Sequence, residues 1–446
     1  MTAVVSSPPE PGANRPPARR RAGSLLSRIA VDTSALRASR DFRLLAIGNF
    51  ITGLGTQATL VALPYQVYVQ TRSPLLTGLL GAVELLPIAT MSLYGGALAD
   101  RMDRRRLLLI DQLALVAISA GLYAGAVSGN PPLGLLYVLA GLLAGASAIQ
   151  NVARSAIVPN VVTPEHLRGA LALNFGLYQL TMVLGPTLGG VLIAVAGLQA
   201  AYLVDAVSCL GMVVAVIAIA PQPPHGSLEE RPGIASSIRD GLRFVRSERA
   251  LMGSFGIDLA AMTFGMPLTL FPVLSLTVYH TGAAGTGALF AAVSAGATVA
   301  ALTTGWLTRA RRLGRVVLWA VLAWGVAIAL TGLVTSLWAA MVLLAAAGAA
   351  DSVSAVCRST INQTVTPDAM RGRMSSVFSL VVTSGPRLGD IESGAVASLT
   401  TARFSVFSGG VACVLAAVML ARGFPALMRY DAEVALASGP LSPARA

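Results

Sequence analysis

The sequence predicts an all-α membrane protein, with twelve transmembrane helices in two six-helix bundles related by a pseudo-two-fold axis along the membrane normal. Three observations predict it. Apolar segments long enough to cross a bilayer recur along the chain, arginines gather in every second gap between them, and the second half repeats marks of the first.

The chain has 446 residues, 55% of them apolar and only 12% charged. Soluble domains carry roughly twice that charged share. Twelve spans of about 20 residues need roughly 240 apolar positions, and the composition supplies that number. A water-soluble enzyme and a disordered or fibrous chain are excluded. The net charge of +12 does not mark a nucleic-acid binder, because all 32 bases are arginines placed in short gaps between apolar runs. Cys209, Cys357 and Cys413 lie inside apolar runs without metal-ligand spacing, and His166, His225 and His280 fall in gaps. No metal or cofactor is expected. With no lysine there is no phosphate-binding Gly-x-x-x-x-Gly-Lys-Ser/Thr loop, so no nucleotide is expected either.

Residues 1–42 are rich in Pro, Ser and Arg and read as a disordered cytoplasmic tail, with no signal peptide following Arg19-Arg20-Arg21. The first bundle occupies 43–220, with spans near 44–69, 75–98, 107–127, 133–156, 172–196 and 199–220. A linker follows over 221–250, where Ile238, Leu242 and Phe244 alternate with Arg239, Arg243, Arg246 and Arg249. That pattern fits either a short amphipathic helix on the membrane surface or a plain basic linker. The second bundle occupies 251–423, with spans near 252–278, 285–306, 316–335, 337–357, 374–399 and 402–423, and a second cytoplasmic tail covers 424–446. The spans are expected to be helices, because backbone facing lipid must satisfy its own hydrogen bonds. With both termini inside, the tails, the inner gaps and the inner span ends hold 29 of the 32 arginines, while the outer gaps hold Arg72 and Arg403 and the interior of a span holds Arg387. This asymmetry orients the chain in a cell membrane with cytoplasmic termini.

The two halves carry matching marks. Arg154-Ser155 precedes Thr163-Pro164-Glu165-His166-Leu167-Arg168-Gly169, and Arg358-Ser359 precedes Thr366-Pro367-Asp368-Ala369-Met370-Arg371-Gly372. Gly185-Pro186-Thr187-Leu188-Gly189-Gly190 is matched by Gly385-Pro386-Arg387-Leu388-Gly389. A parallel duplication of this kind puts a site between the halves and predicts rocking of one against the other.

Gly95-Gly96-Ala97-Leu98-Ala99-Asp100-Arg101-Met102-Asp103-Arg104-Arg105-Arg106 resembles the signature loop of the major facilitator superfamily, with Asp103 where a glycine is usual. The second copy, from Gly305 to Arg312, lacks the acid. The resemblance implies a gating loop of Gly96, Asp100, Arg101, Arg104 and Arg105, in which Asp100 latches onto the start of the eleventh span near Arg373 to Ser375. The run Gly185, Pro186, Gly189, Gly190 resembles the antiporter signature of superfamily exporters, and with Gly385 and Pro386 it implies helix bends and close packing. More narrowly, Phe42-Arg43-Leu44-Leu45, Ile257-Asp258-Leu259-Ala260-Ala261-Met262 and Thr366 to Met374 resemble the enterobactin-exporter-like branch, which handles siderophores and drug-like compounds.

Ionisable groups inside a bilayer are functional candidates. Glu84 lies ~14 Å from the outer end of the second span, and Asp390 matches it in depth in the eleventh. Glu84, with no base nearby in sequence, is the expected proton carrier. Arg387 and Asp390, three residues apart, share a helix face and are expected to hold an anionic or polar substrate group, or to compete for a protonated acid. Asp258 and Asp351, each about seven residues from an inner span end, are expected to meet near the inner vestibule as a gate. The superfamily arrangement of cavity-lining and supporting helices demotes Asp111 and Asp205 to structural roles. The expected function is a proton-coupled antiporter that exports a small organic compound by alternating access, working as a monomer in the lipid bilayer. The alternatives are an importer or uniporter on the same fold, or a membrane enzyme, for which no convergent nucleophile, metal-ligand or His-acid cluster is present.

Overall fold

The computed structural model describes residues 34–223, 234–304, 307, 310–367 and 370–430, and every regular element among them is helical. The helices are α1 (Ser34–Ala38), α2 (Arg40–Thr71), α3 (Pro74–Arg101), α4 (Arg104–Val127), α5 (Leu133–Val161), α6 (Leu167–Ala196) and α7 (Leu198–Ile217). After the linker helix α8 (Ile234–Ser247) come α9 (Arg249–Phe264), α10 (Phe271–Thr277), α11 (Gly282–Thr303), α12 (Leu313–Leu333), α13 (Leu337–Val365), α14 (Arg371–Leu399), α15 (Ala402–Gly423) and α16 (Pro425–Arg429). Among the described residues, eleven segments are long and apolar enough to cross a membrane, with α9 and α10 counted as one. The other long helix, α14, has 29 residues and the length of a span, but it carries Arg387, Asp390 and Glu392.

Helical order begins inside the range expected to be a tail. Ala35 of α1 is buried with Phe42, Val158 and Ala170. Ser39 caps α2 by accepting from Phe42 N at 3.1 Å and donates to Val161 O at 2.6 Å. Asp41 accepts from Ala220 N at 3.3 Å, so the start of α2 and the ends of α5 and α7 share one face. At the far end of the chain, Leu427 of α16 is buried against Gly314, where an added Cβ would meet the Leu427 carbonyl oxygen.

Two expected spans change most on folding. The seventh breaks at Gly265-Met266-Pro267, because proline lacks an N–H and disfavours the helical conformation of the residue before it. Trp324 Nε1 satisfies the freed Gly265 carbonyl at 2.9 Å. The tenth span, expected to end at residue 357, runs on to Val365 as α13.

The same pairings recur in both halves. α2 packs on α6 and α7 as α9 packs on α14 and α15; α3 packs on α5 as α11 packs on α13; α4 packs on α5 and α7 as α12 packs on α13 and α15. Within the first half, Asp205 of α7 is fully buried and accepts from Thr59 and Ser119 at 2.8 Å and from Thr56 at 3.3 Å, which ties α2, α4 and α7 together. Its neighbour in chemistry, Asp111, is buried among apolar side chains of α3, α4 and α5, and neither of its carboxylate oxygens has a hydrogen-bond donor.

The two most extensive crossings between the halves, α3 with α14 and α6 with α11, both depend on glycine. A Cβ on Gly78 would lie 2.3 Å from Asp390 O and one on Gly394 2.9 Å from Gly78 Cα. A Cβ on Gly287 would lie 2.5 Å from Pro186 O, and one on Gly190 2.8 Å from Gly287 Cα. The start of α3 therefore meets the end of α14, and the end of α6 meets the start of α11. Both crossings close the face opposite the one that carries Ser34 and Tyr430, called here the terminal face. Gly78→Val and Gly287→Val are expected to force these helices apart. With spin labels at Leu75 and Leu399, double electron–electron resonance should then show a longer-distance population absent from the parent; unchanged distances would mean the crossings tolerate a side chain.

Candidate functional site

Backbone contact between α3 and α14 decides what meets at the centre. Gly81 stands one turn before Glu84, and a Cβ there would lie 2.6 Å from Arg387 O. This close approach brings Glu84 Oε2 to 2.8 Å from Arg387 Nη2, an ion pair that bridges the two halves. Arg387 Nη1 also reaches Asp390 Oδ2 at 3.3 Å, the contact expected from their spacing of three. Asp390 Oδ1 accepts from Thr269 N at 3.4 Å, a donor freed by the break after α9. Glu84 and Asp390 are buried, whereas Arg387 keeps 25% of its side-chain surface exposed. Glu392 joins none of these contacts.

Glu84 and Arg387 face a cavity of about 610 Å³ enclosed by α2, α3, α5, α6 and α14. It runs from Glu84 past Ser92 and Arg154 toward the terminal face. Gln57, Gln150, Tyr178 and Thr181 add hydrogen-bonding groups to its wall. A second cavity of about 270 Å³ adjoins it through Gln57, Glu84 and Arg387 and extends to Met266 and Thr269 at the helix break. Irregular backbone at membrane depth is tolerated where it lines such a cavity.

The structure therefore joins what the sequence reading kept apart. Glu84 has a base beside it, supplied by the other half, and Arg387 stands between two carboxylates before any substrate arrives. Asp258 and Asp351 do come together, but through Arg358, which the sequence marked only as part of the repeat and not as a site residue. Arg358 Nη2 lies 2.8 Å from Asp258 and 3.5 Å from Asp351, and its Nη1 donates to Ser354 at 2.8 Å. This second triad lines neither of the two joined cavities. It also sits deeper than expected. Asp351 is midway along α13, because that helix continues past Arg358 once the charge is paired. Arg154, like Arg358 counted with the inner gaps, is inside helix α5. The repeat itself was the available signal, since Arg154-Ser155 and Arg358-Ser359 are matching positions.

The glycine run of α6 packs as its type requires. Cβ atoms on Gly185 and Gly189 would lie 2.4 Å and 2.7 Å from Gln57 and Ala58 of α2. Gly385 and Gly389 stand in the same way against Met262 and Thr263 of the α9 end. Pro186 and Pro386 lie inside continuous helices. Of the loop residues, Gly96 and the side chains of Asp100 and Arg101 lie outside the described residues, as do those of Arg373 and Ser375. Their backbone is not a loop: α3 continues to Arg101. Asp103, in place of the usual glycine, caps α4 by accepting from Arg106 N at 3.1 Å. Arg105 donates to Val216 O at 3.0 Å and Ile217 O at 2.6 Å, capping α7. Arg104 N donates to Gln222 O at 3.0 Å.

Removing the only base of a buried triad leaves two carboxylates facing each other, which typically costs about 3–5 kcal/mol. Arg358→Gln is expected to lower the thermal midpoint in detergent, and adding Asp258→Asn should restore part of the loss. A midpoint equal to the parent's in the single variant would mean the triad holds no charge.

The family described as transmembrane secretion effector matches residues 33–442. An enterobactin exporter, EntS, of Citrobacter koseri is 28% identical over 392 residues, 87% of this chain and 93% of the relative. An enterobactin exporter of Shigella boydii serotype 4 is 28% identical over 402 residues, 90% of this chain and 95% of the relative. Among solved structures, a peptide transporter, POT, superposes with a TM-score of 0.70 at 11% identity, covering 88% of this chain and 95% of its own. A bacterial homologue of the lysosomal transporter Spinster, solved in an inward-facing and unoccupied conformation, gives 0.67 at 14% identity over 91% and 98% of the two chains. The shared fold, the all-helical membrane architecture and the family match over nearly the whole length agree: the chain belongs to the transmembrane secretion effector family of the major facilitator superfamily and is a multi-pass membrane transporter.

Proposed function

We propose that the protein is a proton-coupled antiporter that exports a small organic compound, siderophore or drug-like, across the cytoplasmic membrane. In this reading α14 is the twelfth span, the two sets of six form two bundles, and both termini are cytoplasmic, as the arginine distribution expects. The terminal face is then the inner face, and the glycine crossings shut the outer one. Enterobactin, named for the curated relatives, is the first candidate cargo.

The observation that carries the proposal is the Glu84–Arg387–Asp390 triad across the halves beside the cavity. One guanidinium serves two carboxylates, so protonating one acid leaves the other a full partner. Exchange requires that the empty, deprotonated carrier stay on one side. The 2.8 Å Glu84–Arg387 pair, adjoining the Gly78 and Gly81 crossing, is the lock that holds it there. A proton on Glu84 removes one end of the lock, and cargo competing for Arg387 removes the other. Either occupant therefore permits rocking, and the empty carrier does not cross. The Asp258–Arg358–Asp351 triad holds α9 to α13 within the second bundle while that bundle moves. The Asp100 latch belongs to this scheme as the inner-side counterpart of the outer crossings.

The test uses everted membrane vesicles with an acid interior. The parent should accumulate enterobactin, and a protonophore should collapse the accumulation. Glu84→Gln should abolish gradient-driven accumulation while the protein stays in the membrane. Entry that ignores the proton gradient and stops at equal concentrations on the two sides would replace antiport with uniport, and a Glu84→Gln variant as active as the parent would remove Glu84 from the coupling.

A further inference from the structure

The duplication makes Arg154 and Arg358 counterparts, 204 residues apart in sequence. Their surroundings differ. Arg358 is buried and neutralised by Asp258 and by Asp351, which stands seven residues before it on α13. The position seven residues before Arg154 is Ser147, and the counterpart of Ser354 is Gln150. Both Ser147 and Gln150 line the 610 Å³ cavity along with Arg154. The first copy thus lacks one of the two acids that neutralise its counterpart arginine in the second, the one carried on the same helix. Among the described residues no carboxylate is paired with Arg154. The other guanidinium in the cavity wall, Arg387, is held between Glu84 and Asp390.

A guanidinium at membrane depth without a counter-charge is costly, and an oxyanion offering a charge-assisted pair relieves that cost. In the wall of the same cavity, Gln57, Asn151 and Tyr178 supply neutral hydrogen-bonding groups, while Leu60, Ile88 and Met182 supply apolar surface. The volume falls in the range of small-molecule sites. We infer that Arg154 anchors the cargo, and that the cargo is an organic anion, a carboxylate or acidic phenol with an apolar body, seated between Arg154 and the Glu84–Arg387 pair. This rests on reading the cavity as the transport site. It adds Arg154 of the first half to Arg387, where the sequence placed the recognition of negative charge.

The test compares two dyes of one xanthene skeleton and opposite charge, fluorescein and rhodamine 6G, by fluorescence anisotropy on the full chain in neutral-lipid nanodiscs without any gradient. The parent should bind fluorescein more tightly than rhodamine 6G. Arg154→Gln should weaken fluorescein at least tenfold and Arg154→Lys less. Ser147→Asp supplies the counterpart of Asp351 and leaves Arg154 in place. It should weaken fluorescein as Arg154→Gln does and strengthen rhodamine 6G. A thermal midpoint near the parent's identifies folded variants, and Ser147→Asp and Arg154→Gln check one another. The inference is overturned if fluorescein affinity is unchanged in both variants, if rhodamine 6G is the tighter ligand of the parent, or if fluorescein does not bind. Because no gradient is applied, loss of proton coupling would leave this result standing, and a failure here would leave the coupling assay intact.

Discussion

Much of this structure depends on one constraint: the backbones of α3 and α14 touch, because Gly78, Gly81 and Gly394 carry no side chain at the crossing. Only at that separation does a carboxylate on one helix meet a guanidinium on the other at 2.8 Å. Lipid-embedded charges are unfavourable alone and become tolerable as pairs, so the glycines and the charges support each other. Absent the crossing, Glu84 would face an apolar environment alone; absent the pair, the crossing would have only dispersion to hold it. The site is therefore a property of the interface and not of either half.

Hydropathy made the rods legible, because a lipid-facing helix must be apolar wherever it meets lipid. It misjudged their ends for the same reason. The run of α13 looked finished at Arg358, since a hydropathy scale scores any arginine as polar and cannot register that this one is paired; its carboxylate partners lie on α9 and seven residues back on its own helix. Depth was legible too. Glu84 and Asp390 were placed at matching heights from residue counts alone, but counting does not say which way a side chain points around its helix. The pairing of Glu84 with Arg387 needed that second coordinate. The break at Gly265 was written in Gly-Met-Pro, yet the apolar run on either side concealed it.

The two copies have kept their packing and parted in their charges. Gly185 and Gly189 meet α2 as Gly385 and Gly389 meet α9, so the small residues follow the duplication closely. Position by position, Thr187 and Gly190 of the first copy stand where the second has Arg387 and Asp390. Ser147 stands where the second has Asp351. Packing between helices is fixed by backbone geometry that both copies must satisfy. Charge is fixed by what each half has to face, and a cleft between unlike walls can hold a molecule with unlike ends.

Asp205 illustrates a different use of a buried acid. Its oxygens take hydroxyl donors from two neighbouring helices and no base, with Thr56 and Thr59 on α2 and Ser119 on α4. Such a knot joins three rods near their middles without drawing on any group of the two charged triads. The consequence is mechanical stiffness. A lever transmits a small displacement only if its arm does not flex, and in the proposed exchange this knot is what would keep the first half a rigid arm between the cleft and the membrane surfaces.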